Sequence, residues 1–366
     1  MFLNSQDFLL CGKTGFDFKS FIFFLLLDEA KKFMKGEYRM CISHNSLKNH
    51  KVCDVFAGIG GNRLGFEKNG AKCVFSSEIN KSAAAVYEAN FGDRPHGDIT
   101  KIKSEDIPDF DILAGGFPCQ SFSVAGKRGG FEDTRGTLFF ELARLAKDKQ
   151  PKVVFMENVP GLLVHDKGKT FEVVRNTMES IGYDFYYKLI NAADFGVPQA
   201  RERVYMVCFR KDLNIKSFKF PVGTGRTKCV RDILEPTVDV PEEYYIKRKD
   251  LTFYDCKPKP AGTHRIGYFG KKMQGMRIFD ISYQMPTLCS STGSELILVD
   301  GRIRRLTPRE CARVDGFPES FKIAESKTAA YRQFGNSVCV PVIEKIAGAI
   351  GKALVETTKK KIFTSS

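Results

Sequence analysis

From Lys51 onwards, short apolar runs alternate with longer stretches of helical spacing, and no other feature limits the fold as strongly. The runs 52–56, 72–76, 111–114 and 153–156 are long enough for strands and too short for buried helices. Stretches 62–69, 81–91, 137–146 and 171–181 carry apolar residues at helical spacing. Strands alternating with helices predict a parallel sheet covered on both faces. Two further strands, 183–190 and 204–209, follow with no full helix between them, so an antiparallel pair should close one edge. The expected fold class is α/β: a doubly wound, Rossmann-like sheet, mostly parallel with an antiparallel edge strand.

After Arg210 the character changes. Prolines recur at 221, 236, 241, 258, 260 and 286, and helical periodicity fades until 308–314 and 340–355. The segment 211–305 holds 18 Lys and Arg against 11 Asp and Glu, an excess of 7 out of a net charge of +14. Half of the basic excess thus lies in about a quarter of the chain, which favours a polyanionic partner. We expect a small, loop-rich, mainly β domain at 211–305, inserted into a larger domain built from 49–210 and 306–366. Residues 1–48 read as an irregular leader with one candidate amphipathic helix at 20–34. The apolar run 21–27 falls far short of the roughly 20 residues that span a bilayer. Asp28 and Glu29 follow it and no small-residue cleavage site appears, so a cytoplasmic protein is expected. None of the 11 cysteines forms a C-x-x-C pair, so neither a zinc site nor a disulfide framework is expected.

Three segments carry chemistry. DVFAGIGG at 54–61 is a strand running into a glycine-rich turn, where backbone can approach a ligand closely. Glu78 ends the next strand, where a carboxylate can accept ribose hydroxyls, and Phe56 is placed to stack on an adenine. The dinucleotide pattern would need glycine at position 63, where Arg63 stands, so a nucleoside without a pyrophosphate fits better. A tight turn with no ligand is the equal alternative from this loop alone. In GGFPCQSFS at 115–123, Pro118 stiffens a turn that holds Cys119 at a strand's carboxyl end. A cysteine is more often a small buried hydrophobe than a nucleophile; this position favours the nucleophile. Glycines and two cations follow it, suiting a mobile basic loop over a polyanion. Glu157 ends the apolar strand 153–156, either capping a turn or poised in a pocket that would raise its pKa for proton donation. Arg201 and Arg203, two apart on an extended segment, point the same way; they hold a carboxylate and a base or phosphate, or form a surface salt bridge with Glu202.

Together these segments resemble the bacterial DNA cytosine-5-methyltransferases of restriction–modification systems, and within them the compact enzymes such as the methylase of GCGC sites. The resemblance rests on DVFAGIGG (54–61), GFPCQSFS (116–123), ENV (157–159), QARER (199–203), RLTPRECAR (305–313) and QFGNSV (333–338), in that order over roughly six-sevenths of the chain. It implies S-adenosylmethionine as cofactor, lined by Phe56, Ala57, Gly58, Gly60, Gly61, Glu78, Ile79, Asp98, Ile99, Pro118 and Leu138 and completed by Asn336 and Ser337. It implies Cys119 as nucleophile, with Glu157, Asn158, Arg201 and Arg203 holding the cytosine. For double-stranded DNA it implies Gln120, Ser123, Lys127, Arg128 and Arg135 from the loop. From the inserted domain it adds Gln274 and Arg277, which fill the flipped-base gap and read guanine, and Thr287 on phosphate. The stretch 289–295 departs from the GCGC enzyme, and the leader has no counterpart in the compact enzymes. A cognate restriction endonuclease acting on the same site, without a stable complex, is the partner that family habit suggests.

The implied chemistry is addition of the Cys119 thiolate to cytosine C6, methylation at C5, and release, on a base flipped out of the duplex. Three rivals remain at this point: an RNA cytosine-5-methyltransferase, an inactive DNA-binding homologue, and a nicotinamide-dependent oxidoreductase that Arg63 disfavours.

Overall fold

A computed structural model describes residues 45–117, 138–255, 257, 262–270, 275–290 and 295–364, with side chains as far as 357. Strands β1 (Lys51–Val55), β2 (Lys72–Ser77), β3 (Ile112–Gly116) and β4 (Val153–Asn158) alternate with helices α1 (Gly61–Glu67), α2 (Lys81–Phe91) and α3 (Leu138–Lys149). Helix α4 (Lys169–Ser180) leads to β5 (Tyr183–Asn191), and β7 (Glu202–Arg210) returns. The sheet order is β2-β1-β3-β4-β7-β5. β1 to β4 run parallel, while β7 is antiparallel to both β4 and β5. The expected antiparallel pair is present, and its reversed strand, β7, lies one place in from the edge.

Both faces of the sheet are buried, as the apolar runs require. Val52, Ile112, Val153, Phe155, Tyr205 and Val207 face one side, against Phe66 of α1 and Ile343, Ile346 and Ile350 of α7 (Val340–Thr364). Cys53, Leu113, Val154, Met156, Val204 and Met206 face the other, against α3 and α4. Alternate residues of one strand thus go to opposite layers. Helices α1 and α7 cross closely because Gly65 has no side chain; a Cβ there would lie 2.5 Å from Ile343 and 2.9 Å from the Glu344 backbone nitrogen. The turn 45–49 is part of this layer. Leu47 is fully buried in the same core, so the packed structure begins before the boundary at 49 that the sequence suggested.

The inserted region has its own sheet. Strands β8 (Leu251–Phe253), β9 (Arg265–Phe269), β10 (Arg277–Asp280), β12 (Leu296–Val299) and β13 (Arg302–Arg305) take the order β13-β12-β10-β9-β8 around Phe269, Ile278, Leu296 and Ile303. Only β10 and β12 pair in parallel. A separate two-residue pairing joins β6 (Gln199–Ala200) to β11 (Met285–Pro286), tying the inserted region to the QARER segment. The chain then re-enters the larger domain at α5 (Pro308–Val314), opened by a Thr307–Glu310 capping box, and α6 (Lys327–Asn336), capped by Ser326. Among the described residues no helix is long and apolar enough to cross a membrane.

Phe66 is fully buried with its ring edge-on to Phe155 at 5.4 Å. Phe66→Ala should therefore destabilise the protein by about 3–5 kcal/mol, read from urea unfolding. A loss under about 1 kcal/mol would show that α1 does not carry this face.

Candidate active site

The first loop is built on backbone that few residues adopt. Phe56, Gly58 and Gly60 have φ of 56°, 56° and 89°. Such a conformation is rare for an aromatic residue and tends to be held at ligand sites. A Cβ at Gly60 would strike Phe91 at 2.2 Å, whereas one at Gly58 would meet nothing within 4 Å. The loop is thus packed from below and open above. Glu78 closes its side: Oε2 accepts from the Gly58 N–H at 2.8 Å and Oε1 from the Asn80 N–H at 2.7 Å. Ile79 beside it is 70% exposed. Asp98 accepts from the backbone N–H and hydroxyl of Thr100, which hold its carboxyl below the usual range. Ile99 is buried in the core with Phe75. Arg63 turns away from the loop, ion-paired to Glu67 and Asp93 and lying over the Phe91 ring.

Beneath the loop, Asp54 is fully buried. It accepts one hydrogen bond from Asn62 at 3.3 Å, and its other oxygen has no partner among the described residues. Burial, only partly offset by Asn62 and Arg63, pushes its carboxyl up to about 7.

The acid lies two strands away. Glu157 is near the carboxyl end of β4, paired with Arg203 at 3.0 Å, each side chain only 12% exposed. Burial raises the Glu157 carboxyl, and the charges of Arg203 and then Arg201 pull it back. Burial and the neighbouring Arg201 lower the Arg203 guanidinium. Gly116, at the end of β3, leaves room for this carboxylate: a Cβ there would lie 3.2 Å from Glu157 Oε2. The Asn158 amide donates to the Phe117 carbonyl at 2.8 Å and so anchors the chain as it leaves β3.

Arg201 is interior, 3% exposed, which overturns the surface salt bridge with Glu202. Arg201 falls between β6 and β7, which belong to different sheets, and its side chain turns inward. Its guanidinium donates to the carbonyls of Leu288 (3.3 Å), Gly335 (3.1 Å) and Ser337. Gly335 fits because it lacks a side chain against Ser290, and the following segment meets the first loop, where a Cβ at Gly61 would lie 2.7 Å from Val338. Asn336 is exposed and Ser337 partly so at the end of α6, near that loop. Leu138 opens α3, partly buried. The Thr287 hydroxyl donates to the Ala200 carbonyl at 3.0 Å, and Arg277 pairs with Glu295. Pro118, Cys119, Gln120, Ser123, Lys127, Arg128, Arg135 and Gln274 lie outside the described residues.

Two participants had no role in the sequence reading. Gln199 is fully buried, donating to Asp315 at 2.6 Å and accepting from the Leu288 N–H at 3.0 Å. Asp315 also accepts from the Cys339 thiol, and burial pushes its carboxyl up to about 6. A carboxylate between Val314 and Gly316 was the available signal, but a surface helix end would have looked the same.

A doubly wound sheet with an open glycine turn at its carboxyl ends, and a buried acid–arginine pair beside it, defines an α/β enzyme of the Rossmann-like methyltransferase class. A family model described as C-5 cytosine-specific DNA methylase matches residues 50–352. The Type II methyltransferase M.HhaI of Haemophilus parahaemolyticus is 49% identical over 320 residues, covering 86% of this chain and 98% of its own. M.HaeII of Haemophilus aegyptius is 44% identical over 321 residues, covering 86% and 96%. A Spodoptera frugiperda DNMT2 mutant structure matches with a TM-score of 0.65 at 20% identity, covering 84% of this chain and 100% of its own, a likeness of fold alone. The chain belongs to the C-5 cytosine-specific DNA methylases and is a DNA cytosine-5-methyltransferase. That removes the nicotinamide alternative.

A buried proton on Asp54 has a consequence for stability. The folded carboxyl titrates at about 7 and an ordinary aspartate at 3.8. The contribution is therefore complete below about pH 4 and is lost as pH rises to about 7. Asp54→Asn should lack this loss, so the wild type should fall relative to the variant in urea midpoint between pH 4 and 8. A difference that stays constant over that range refutes the protonated carboxyl.

Proposed function

We propose that this enzyme transfers a methyl group from S-adenosylmethionine to C5 of a cytosine flipped out of a short, specific duplex sequence, through a covalent bond between Cys119 and C6. The proposed setting is protection of host DNA in a restriction–modification system, with a cognate endonuclease acting on the same site. The observation that carries the reading is the buried Glu157–Arg203 pair one strand from the segment that leads to Cys119. Cys119 lies two residues after Phe117 in the sequence.

The first loop suits the cofactor. The open space at Gly58 admits a ligand against the backbone, Glu78 has lone pairs left for ribose hydroxyls, and Phe56 and Ile79 offer apolar surfaces for an adenine. When bound, the cofactor supplies an electrophilic methyl on a sulfonium. Nothing in the loop offers the cations or the third glycine that a pyrophosphate would ask for.

The chain's own groups do the rest. The Cys119 thiolate adds to C6, breaking aromaticity and making C5 nucleophilic. Glu157, with its carboxyl raised by burial, donates a proton to N3 as charge grows there. Arg203 keeps the carboxylate in place, and the buried positive charge of Arg201 lies close enough to stabilise it. Asn158 holds the entry to the nucleophile's turn. After C5 is methylated, its proton leaves to solvent, the C6–S bond breaks and the N3 proton returns to Glu157, restoring the ring, the thiolate and the acid. Region 211–305 reads the duplex, with Gln274 in the vacated gap and the loop residues Gln120, Ser123, Lys127, Arg128 and Arg135 on the strands. For Thr287 to reach phosphate, its hydroxyl must leave the Ala200 carbonyl.

A duplex carrying 5-fluorocytosine tests the covalent step, because fluorine cannot leave as a proton does. Wild type should form a denaturant-stable adduct. Cys119→Ser should bind the duplex without forming it and without methylating; turnover by that variant would end the assignment. Glu157→Gln should keep duplex binding and lose at least about 100-fold in methyl transfer, as counted from labelled methyl incorporated into DNA.

A further inference from the structure

We propose that Glu295 is a specificity-determining residue, fixing Arg277 so that the outer edge of its guanidinium reads one guanine of the recognised sequence. The inference rests on the DNA-methylation reading above and deepens it.

Arg277 opens β10 and Glu295 immediately precedes β12; these strands are parallel neighbours, which brings the two side chains together. Glu295 is 4% exposed and Arg277 27%. Oε1 of Glu295 accepts from Arg277 Nε at 3.1 Å and also from Nη2. Oε2 accepts from the Gly275 N–H at 2.9 Å, and Arg305 donates to the Gly275 carbonyl at 3.2 Å. The Arg277 guanidinium carbon also lies 5.9 Å from the Phe279 ring centroid. The inner edge and one face of the guanidinium are therefore held. Among the described residues Nη1 has no hydrogen-bond partner, and the Nη1–Nη2 edge forms the tip of a side chain that lines a cleft. Arg277 and Phe279 line a cleft of about 480 Å³ together with Tyr254, His264, Arg265 and Pro286. Pro286 pairs with Ala200, the residue before Arg201, so the cleft adjoins the strand that leads to the Glu157 site.

Two parallel donors at a fixed angle match either the O6 and N7 of guanine in the major groove or a phosphate. Charge decides between them. Attraction to phosphate scales with the positive charge delivered, and a contacting carboxylate cancels it. Burying a carboxylate beside an arginine also costs desolvation, which an arginine serving only phosphate would gain nothing from. Direction without net charge is what reading a base requires.

The test uses duplexes with a fixed cytosine and randomised neighbours, methylated by full-length wild type and by Arg277→Lys, Glu295→Gln and Glu295→Asp, then read by bisulfite sequencing. The measured quantity is the preference ratio between bases at each position, which cancels any loss of folded protein within a preparation. Wild type should show a strong guanine preference at one position. Arg277→Lys and Glu295→Gln should each reduce that preference by at least about fivefold and leave other positions unchanged. Glu295→Asp keeps the buried charge but withdraws it by one methylene, and should reduce the same preference. Unchanged ratios in either the Arg277 or the Glu295 variants, or rates that fall equally on all sequences as for a purely structural pair, would overturn the proposal. A wild type that methylates no duplex would instead overturn the reading it rests on.

Discussion

The site depends on one buried cation. Arg201, the residue between β6 and β7, projects inward and donates hydrogen bonds to three backbone carbonyls, at Leu288, Gly335 and Ser337. Those carbonyls come from the inserted region and from the end of α6, so a single guanidinium joins three parts of the chain that sequence keeps far apart. A buried cation cannot be left without acceptors at reasonable cost, and the three segments are held to the positions that provide them. Through Gly61 and Val338 the same link reaches the first loop. The glycine turn thus touches the returning C-terminal segment, and Glu157 lies in the field of the same guanidinium.

Asp54, Asp315 and Glu157 are all removed from solvent and differ in their partners. Asp54 has one weak amide donor and is pushed to about 7. Asp315 has an amide, a thiol and the field of Arg201, and rises to about 6. Glu157 has a guanidinium in direct contact and lies beside Gly116, where a Cβ would come within 3.2 Å of its carboxylate. Desolvation alone would make all three acids of similar kind. Of these three, Glu157 alone has a guanidinium in ion-pair contact among the described residues.

The inserted sheet follows a different logic. One small core is built on Phe269, Ile278, Leu296 and Ile303, while Phe279, Ile297 and Val299 of the same sheet pack into a larger core with Cys311, Ala312 and Phe334. Arg302 pairs with Glu242 inside this region, and Arg304 pairs, fully buried, with Glu310 of α5. Arg302 and Glu242 already cancel in the formal excess of this region, whereas Glu310, outside it, neutralises Arg304.

Most of the α/β domain was legible in the sequence because each strand is apolar on consecutive residues and each helix has one apolar stripe. Those periods match the two faces of the sheet, with Val153 and Phe155 on one side and Val154 and Met156 on the other. The motif order was legible too, since chemistry at strand ends calls for glycine, cysteine or carboxylate at fixed places. Helix α6 was not, because it buries only Ala330, Phe334 and Gly335 and leaves no periodic stripe. Nor were the short strands of the inserted sheet, whose three to five residues are too few for a pattern. The inward turn of Arg201, the meeting of Glu295 with Arg277 and the pairing of β6 with β11 were settled only by tertiary structure. Each joins residues separated by 18 to more than 80 positions through side-chain direction or pairing register, and neither quantity is encoded in local composition.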